Sequence, residues 1–291
     1  MLQMVKYTFT IIMAIAVCSC NNLDVKGIFM PTGEGVEKRF EQSAELYSCL
    51  KKATIETQSS YMFYVAADPH IEHEHKNLDI FNDALRNDEN ASFGVLLGDC
   101  SELRDNLDKY IEALTYYPER HSYNHEIFHI LGNHDVFFNG WVNYRKKLGA
   151  SVYWFEVLFP EGKDLYICLD TATGTLGRKQ SDWFRTFLEE NRKSYRHCVI
   201  LTHTNLFYTD NTQAGSGNMP IEETFSLIDF FGKQDVTLVL QGHDHYREDL
   251  FYDNVRYTIL GTIKDESDKA EYLKVNVNAD KISYDWQLIS R

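Results

Sequence analysis

The chain has 291 residues and a mass of 33.9 kDa, which is enough for one large domain or two small ones. With 44% hydrophobic and 25% charged residues it can bury a core, which excludes a disordered or low-complexity protein. Its 43 acidic residues outnumber its 29 basic ones and give a net charge of −14, which argues against a nucleic-acid partner held by phosphate contacts.

The first predicted element is an export signal at the N-terminus. A single basic residue, Lys6, precedes an apolar run over residues 9–17, about half of the roughly 20 residues that a membrane-spanning helix needs. The Val-Cys-Ser-Cys run that follows resembles a bacterial lipoprotein cleavage box, with Cys20 as the lipidated residue. We therefore expect a signal peptide over 1–19 and an exported protein that is lipid-anchored through Cys20 to a bacterial membrane, facing the periplasm or the cell surface. Plain secretion is the alternative.

The remainder of the chain is predicted to be a tether followed by one domain. Residues 20–35 are polar and contain Gly and Pro, whereas residues 36–291 show no repeat and no second linker. Short β-rich runs alternate with helical stretches, which indicates an α/β fold, and the late strands predict added hairpins. Strands are predicted at residues 61–66, 93–97, 126–131, 152–158, 165–169, 198–201, 236–240, 255–260, 272–277 and 282–287. Helices are predicted at residues 37–52, 77–86, 103–117, 141–148, 180–191 and 222–231.

Besides Cys20, four cysteines lie beyond the predicted signal peptide: Cys49, Cys100, Cys168 and Cys198. An exported domain could pair them, and the sequence leaves their disulfide state open. No short Cys-x-x-Cys spacing predicts a metal site. Cys168 and Cys198 fall in predicted strands, which favours buried thiols.

Polar side chains follow five of the predicted strands at their downstream ends. In an open α/β sheet, the carboxyl ends of strands are where functional sites assemble. Two carboxylates, one amide and several imidazoles are donors that suit Mn, Fe, Zn or Ni better than Ca or Mg. Seven such ligands are too many for one ion and suit two ions that share a carboxylate. The runs are Asp68-Pro69-His70, Gly98-Asp99, Gly132-Asn133-His134-Asp135, His203 and Gly242-His243-Asp244-His245.

In this order the five motifs resemble those of the calcineurin-like metallophosphoesterases, over about residues 61–245. The resemblance implies a four-layer α/β/β/α sandwich with a dinuclear metal site between the loops at the sheet edges. The implied ligands of the first ion are Asp68, His70, Asp99 and His245. Asp99 would bridge to the second ion, whose other implied ligands are Asn133, His203 and His243.

The same resemblance implies catalytic roles for two neighbouring residues. His134 would protonate the leaving group as a general acid, and Asp135 would orient its imidazole. Glu102 departs from the family pattern, which often has Asp or Asn at that position and has a metal-binding Tyr there in purple acid phosphatases. This departure disfavours the purple acid subgroup and leaves the local support of that loop in doubt.

Two later segments bear on the substrate. Asp170-Thr171, Gln180 and Trp183 resemble the branch that contains class III cyclic-nucleotide phosphodiesterases. The glycine-rich segment after His203 is a hypothetical substrate loop, with candidate contacts from Asn205, Phe207 and Tyr208.

The predicted function is hydrolysis of a small phosphoester, favouring a phosphodiester, through attack by a hydroxide that bridges two metal ions, with His134 as the general acid. A phosphomonoesterase using the same site is the first alternative. A non-catalytic, metal-binding surface lipoprotein is the second. The metal identities, the physiological substrate and the oligomeric state stay open.

Overall fold

The fold was analysed in a computed structural model that describes residues 33–102, 106–115, 122–207 and 218–290. The predicted signal peptide, Cys20, most of the predicted tether and Tyr208 lie outside these ranges. Within these ranges, no helix combines the length and the apolar character that crossing a membrane requires.

The described strands form one sheet of seven strands and one of five. They are β1 (Lys51–Glu56), β2 (Tyr61–Ala66), β3 (Ala91–Leu96), β4 (Glu126–His129), β5 (Tyr153–Phe159), β6 (Gly162–Cys168), β7 (Cys198–Leu201), β8 (Leu238–Gln241), β9 (Glu248–Tyr252), β10 (Val255–Ile259), β11 (Glu271–Val277) and β12 (Ile282–Leu288). The larger sheet has the order β1-β5-β6-β7-β8-β10-β9, and the smaller sheet has the order β12-β11-β2-β3-β4. Strands β2, β3 and β4 run parallel to one another, as do β6, β7 and β8.

The core between the two sheets is aromatic. Phe63 on β2 and Phe93 on β3 meet Tyr166 on β6 with ring centroids 5.5 and 5.3 Å apart. Phe128 on β4 stacks on Phe155 on β5 at 3.7 Å. All five side chains are completely buried, and each contributes roughly 1.5–3 kcal/mol of stability. This packing holds the sheets face to face, so that the ends of their parallel strands lie side by side.

Helices cover the outer face of each sheet. The helices are α1 (Val36–Leu46), α2 (Lys76–Arg86), α3 (Leu107–Thr115), α4 (Trp141–Lys147), α5 (Gly177–Asn191) and α6 (Ile221–Lys233). On the larger sheet, α5 and α6 pack through Phe184 and Phe231, and on the smaller sheet α2, α3 and α4 pack through Phe81, Tyr110 and Trp141. The predicted four-layer α/β/β/α sandwich is thereby confirmed.

The N-terminal helix is shorter than the sequence predicts. Helix α1 ends at Leu46, and the end of the predicted helix over residues 37–52 belongs instead to β1, which pairs in parallel with β5. Alternate residues of β1, Ala53 and Ile55, pack against the core between the sheets. Packing of every second side chain against the core fits a strand and not a helix, which explains why Lys51–Glu56 forms a strand.

Strand β9 was missing from the sequence prediction. It forms a hairpin with β10 around Asp253 and Asn254, which have φ angles of 48° and 63°. Two consecutive positive φ values suit the tight turns that join hairpin strands, and Asp and Asn tolerate them. This Asp-Asn pair was the signal available in the sequence. The other predicted elements are confirmed with ends shifted by up to three residues, although the helix over 103–117 is described only in part.

The four cysteines in the described ranges are free thiols. Cys49 is exposed, whereas Cys100, Cys168 and Cys198 are buried. Burial raises the pKa of the Cys168 and Cys198 thiols to about 12. Both therefore stay protonated at neutral pH and fill the core, as their positions in strands predict.

Candidate metal centre

All seven predicted metal ligands meet where the two sheets place the carboxyl ends of their parallel strands. Six of the seven are buried, and the side chain of His245 is 24% exposed. The site is therefore made by five separate chain segments that the sandwich brings together. Asp68 and His70 follow β2, Asp99 follows β3, Asn133 follows β4, His203 follows β7, and His243 and His245 follow β8.

One half of the centre, here called site 1, consists of Asp68, His70, Asp99 and His245. Their donor atoms all lie within 4.8 Å of one another. The Nε2 atoms of His70 and His245 are 3.0 Å apart, and His70 Nε2 is 3.4 Å from Asp99 Oδ2. His245 Nε2 is 3.6 Å from Asp68 Oδ1. Two imidazole nitrogens and two carboxylate oxygens thus converge on one small volume.

The other half, here called site 2, consists of Asp99, Asn133, His203 and His243. Asn133 Oδ1 lies 2.9 Å from His203 Nε2 and 2.9 Å from His243 Nδ1. His203 Nδ1 donates to the backbone oxygen of Leu97 at 2.8 Å, so Nε2 is the nitrogen turned to the site. Asp99 Oδ2 is 3.4 Å from His203 Nε2 and therefore faces both halves.

Glycines in the motifs allow the ligand loops to approach one another closely. A Cβ on Gly132 would lie 2.2 Å from both the backbone nitrogen and the Oδ1 of Asp99. A Cβ on Gly242 would lie 2.5 Å from Asp68 Oδ2. Only glycine fits where another segment's backbone or carboxylate comes this close.

The ligand backbone is strained. Left-handed φ angles are rare for residues other than glycine and cost on the order of 1–3 kcal/mol each where the surroundings impose them. Such strain clusters at functional sites. Five predicted ligands have φ between 45° and 76°, namely Asp68, His70, Asp99, His243 and His245.

Burial and close charges shift the pKa values of the ligands apart. Burial alone would raise the pKa of Asp99, but the imidazoles of His203 and His134 outweigh it and hold that pKa well below its usual range. Burial alone would lower the pKa of His203, but the Asp99 carboxylate outweighs it and raises the pKa to about 10. Burial and the charge of His203 lower the pKa of His243 to about 4. The negative charge of the buried carboxylates thus keeps a proton on a neighbouring imidazole. A metal cation bound at the same place would balance that negative charge equally well.

The donor set fits two metal ions. Sites 1 and 2 each offer a carboxylate, imidazole nitrogens and one further oxygen, and they share Asp99. Such mixed nitrogen and oxygen donors suit Mn, Fe, Zn or Ni. The Nε2 atom of His243 is buried without a hydrogen-bond partner in the described part of the chain, whereas Nδ1 of the same ring lies 2.9 Å from Asn133 Oδ1 in site 2.

His134 lies directly beside site 1. Its backbone N–H donates to Asp99 Oδ1 at 2.8 Å, and its ring makes an edge contact with the His70 ring at a centroid distance of 4.5 Å. The residue is 8% exposed. An ionisable ring thus reaches the rim of the centre, where a leaving group could meet it.

The prediction that Asp135 orients the ring of His134 is wrong. The two carboxylate oxygens of Asp135 accept hydrogen bonds from the backbone N–H groups of Gly132 at 2.9 Å and Cys100 at 3.0 Å. Burial and the Asp99 carboxylate raise the pKa of Asp135 to about 7. Its side chain therefore ties two ligand loops together and does not contact the imidazole.

Glu102 is a site residue that the sequence reasoning missed. Its Oε2 is 3.0 Å from Nδ1 of His70 and 3.7 Å from Nδ1 of His134. Its backbone oxygen lies 3.3 Å from the same His134 nitrogen. The available signal was its position three residues after Asp99, where the family pattern often has another carboxylate or an amide.

The described members of the predicted substrate loop turn toward the protein. Asn205 Nδ2 donates to Asp244 Oδ2 and to the backbone oxygen of Phe207, both at 2.8 Å. The Phe207 ring packs edge-on against Tyr257 at 4.8 Å. The two side chains anchor the start of the loop, and their role as substrate contacts stays a prediction.

The segment that suggested a cyclic-nucleotide phosphodiesterase also has structural contacts. Both carboxylate oxygens of Asp170 accept from the buried guanidinium of Arg39, at 2.8 and 2.9 Å. The Gln180 amide bonds the backbone N–H and C=O of Asp170 at 2.8 and 2.9 Å. Trp183 stacks on Phe187 and packs at a tilt against Phe40. These side chains hold the fold together, and the resemblance to that branch stays a prediction.

Comparison with known sequences gives one family. The sequence profile described as calcineurin-like phosphoesterase matches residues 61–247. That range contains all seven predicted ligands and His134. No curated protein matches the chain.

Solved structures share the fold at low sequence identity. A dimetal phosphatase from Danio rerio is 12% identical with a TM-score of 0.62, over 78% of this chain and 96% of that one. GAP50, described as the anchor in the inner membrane complex of Plasmodium, is 12% identical with a TM-score of 0.58, over 79% and 85%. A purple acid phosphatase from yellow lupin (Lupinus luteus) seeds is 13% identical with a TM-score of 0.58, over 80% and 52%. At these identities the likeness concerns the fold alone.

Proposed function

Because the chain belongs to the calcineurin-like phosphoesterase family, we propose that it is a metal-dependent hydrolase of a small phosphoester, with a phosphodiester favoured over a phosphomonoester. One observation carries this proposal. Asp99 Oδ2 lies 3.4 Å from His70 of site 1 and 3.4 Å from His203 of site 2. A carboxylate shared by two donor sets is what a pair of adjacent metal ions requires.

Site 1 and site 2 would each hold one ion. When bound, two such ions act as Lewis acids on a phosphoryl group and activate water. The chain itself fixes the two carboxylates: Asp68 accepts from the backbone N–H of His243 at 3.0 Å, and Asp99 Oδ1 accepts from that of His134 at 2.8 Å. These bonds keep the other oxygen of Asp99 turned to both sites.

His134 is the group that donates a proton to the leaving oxygen in this proposal. It is ionisable, it reaches the rim of the centre, and its ring contacts that of the site 1 ligand His70. A positioned general acid contributes typically about 10²–10⁴-fold to the rate, with the larger effect for poor leaving groups.

Charge favours a diester over a monoester. A phosphodiester carries one negative charge, whereas a phosphomonoester carries close to two at neutral pH. The carboxylate of Glu102 lies at the edge of site 1 on a chain with a net charge of −14. These negative charges oppose a dianion more strongly than a monoanion.

Two alternatives use the same centre. A phosphomonoesterase would need no change in the metal ligands. A non-catalytic, metal-binding surface protein is the second alternative, and the similarly folded GAP50 is described as an anchor. The presence of His134 beside site 1 favours catalysis, because a purely structural metal centre needs no proton donor at its rim.

The substrate proposal is tested by comparing bis-p-nitrophenyl phosphate with p-nitrophenyl phosphate, using the purified full chain supplied with manganese. We expect the larger kcat/KM for the diester. A strong preference for the monoester would make the protein a phosphatase. No turnover of either ester, by protein that binds its ions, would favour the non-catalytic alternative. Asp99→Asn protein prepared in the same way is the control for contaminating enzymes.

The role of His134 is tested with His134→Ala. The variant should retain its metal ions and lose about 10²–10⁴-fold in activity on alkyl diesters, and less on nitrophenyl esters. His73→Ala is the matched control, since the His73 side chain is 80% exposed. Full activity of His134→Ala on alkyl diesters would contradict the assignment.

We also propose that the chain is a lipoprotein anchored through Cys20 and that residues 36–291 act as one domain at a membrane surface. The apolar run and the cysteine that follows it support this. Labelling expressing cells with a radioactive fatty acid should label the wild-type protein but not Cys20→Ala, which should also leave the membrane fraction. Equal labelling of both proteins would exclude Cys20 as the lipidated residue.

A further inference from the structure

Glu102 lies against two histidines that have different proposed tasks. Its Oε2 atom is 3.0 Å from Nδ1 of His70, a ligand of site 1, and 3.7 Å from Nδ1 of His134, the proposed proton donor. The side chain is 18% exposed, so solvent screens these contacts only in part. Apart from its charge, this carboxylate has no role in the function proposed above.

The backbone holds the loops of Glu102 and His70 together. The N–H of His70 donates to the backbone oxygen of Asp99 at 2.9 Å, and that of Ile71 donates to Cys100 at 3.2 Å. The N–H of Glu102 donates back to the oxygen of Ile71 at 3.1 Å. These bonds join the loop after β2 to the loop after β3, so the main chain holds Glu102 and His70 side by side.

The two nitrogens of His70 face in different directions. Nε2 is turned into site 1, where it lies 3.4 Å from Asp99 Oδ2 and 3.0 Å from His245 Nε2. Nδ1 is turned away from site 1, toward Glu102. Since the carboxylate lies behind the ring, it cannot take the place of a ligand in site 1. It can accept the Nδ1 proton and so leave the Nε2 lone pair for a metal ion.

We propose that Glu102 is a positioning residue for the metal of site 1, which it acts on through His70. It holds the imidazole in the Nδ1–H form and fixes the angle of the ring. The backbone oxygen of Glu102 lies 3.3 Å from Nδ1 of His134, and its carboxylate lies 3.7 Å from the same atom, so a metal ligand and the proposed proton donor both contact this residue. The inference rests on the proposed metal centre but not on the identity of the ester.

One competing assignment uses the same three side chains. Donor atoms of His70, Glu102 and His134 lie within 4.8 Å of one another and could themselves hold a metal ion. That arrangement would need the Nδ1 atom of His70 as a ligand, with no proton on it. The two assignments differ in the number of ions bound, which can be measured directly.

The test is a calorimetric titration of Mn²⁺ into the metal-free full chain. It compares wild type, Glu102→Ala and Glu102→Gln. We expect two ions in each protein, with site 1 about 10–100-fold weaker in Glu102→Ala. Glu102→Gln should recover part of the loss, because its amide oxygen still accepts from Nδ1. Repeating the series with His203→Ala, which removes a ligand of site 2, isolates site 1. Glu112→Gln on α3, an exposed glutamate, is the matched control and should not change the affinity.

Urea unfolding of the metal-free proteins separates positioning from general support of the fold. The account predicts that Glu102→Gln unfolds as wild type does while its Mn²⁺ affinity falls. Unchanged affinity in Glu102→Ala, or loss of stability without a separate loss of affinity, would overturn it. Three ions in wild type and two in Glu102→Ala would favour the competing site. Because no ester is present, a protein that binds metal but hydrolyses nothing would refute the proposed function and leave this inference intact.

Discussion

Replacing Arg39 with methionine is expected to lower the free energy of unfolding by about 3–5 kcal/mol. The side chains of Arg39 and Asp170 are both fully buried, and the guanidinium donates to both carboxylate oxygens at 2.8 and 2.9 Å. Methionine retains an apolar side chain at the position but removes the charge. Asp170 would then be a buried carboxylate with no cationic partner, which is the costly outcome when one member of a buried pair is lost.

The assay is a double-mutant cycle of Arg39→Met, Asp170→Asn and the double variant. The free energy of unfolding of each metal-free protein is measured in urea. Each single variant should lose about 3–5 kcal/mol, and the double variant should lose less than the sum, because it leaves no unpaired charge. The ratio of diester to monoester turnover in the folded variants should equal that of wild type. Losses below about 1 kcal/mol, or strict additivity, would refute the reasoning.

Three further predictions concern the loops of the metal centre. Gly132→Ala should weaken Mn²⁺ binding about tenfold or more, because its Cβ would lie 2.2 Å from atoms of Asp99; unchanged affinity in a titration would contradict this. Burial lowers the pKa of His203, but the Asp99 carboxylate raises it overall to about 10. In the metal-free protein the His203 imidazolium therefore adds to stability fully below about pH 6.5, and this contribution is lost as the pH rises through about 10. A metal ion must displace that proton, so the affinity for Mn²⁺ should fall as the pH falls. Calorimetry at about pH 7.5 in two buffers should detect at least one proton released on binding, and release of no proton would contradict this. Asp135→Asn should cost about 1–3 kcal/mol through its backbone contacts yet keep the wild-type dependence on the leaving group, whereas a dependence like that of His134→Ala would restore its predicted orienting role.

The layers and the metal ligands could be predicted from sequence because both leave short, local patterns. Each ligand motif follows an apolar strand, and parallel strands place such ends together. The two strands that escaped prediction lie at the sheet edges. Four residues separate strand β1 from the end of the N-terminal helix, and β9 is half polar, so neither makes a long apolar run.

The errors at the site concern contacts between segments that are distant in sequence. Asp135 follows His134 directly, but its carboxylate turns back to the backbone of two loops, while the carboxylate near that ring comes from Glu102, 32 residues away. Likewise Asp170 pairs with Arg39 across 131 residues. Adjacency in sequence does not fix where a side chain points, since loop conformation and packing decide it. The position of a residue in a motif predicts whether it reaches the metal centre better than it predicts which other side chain of the centre it contacts.

Metal stoichiometry tests the central claim most directly. The full chain, reconstituted with manganese and freed of excess ions, should contain two ions per chain by mass spectrometry. His245→Ala, which removes a ligand of site 1 alone, should keep one ion, whereas Asp99→Asn should lose both because its carboxylate serves both sites. One ion in the wild-type protein, or two ions retained by Asp99→Asn, would contradict a centre built around a shared carboxylate.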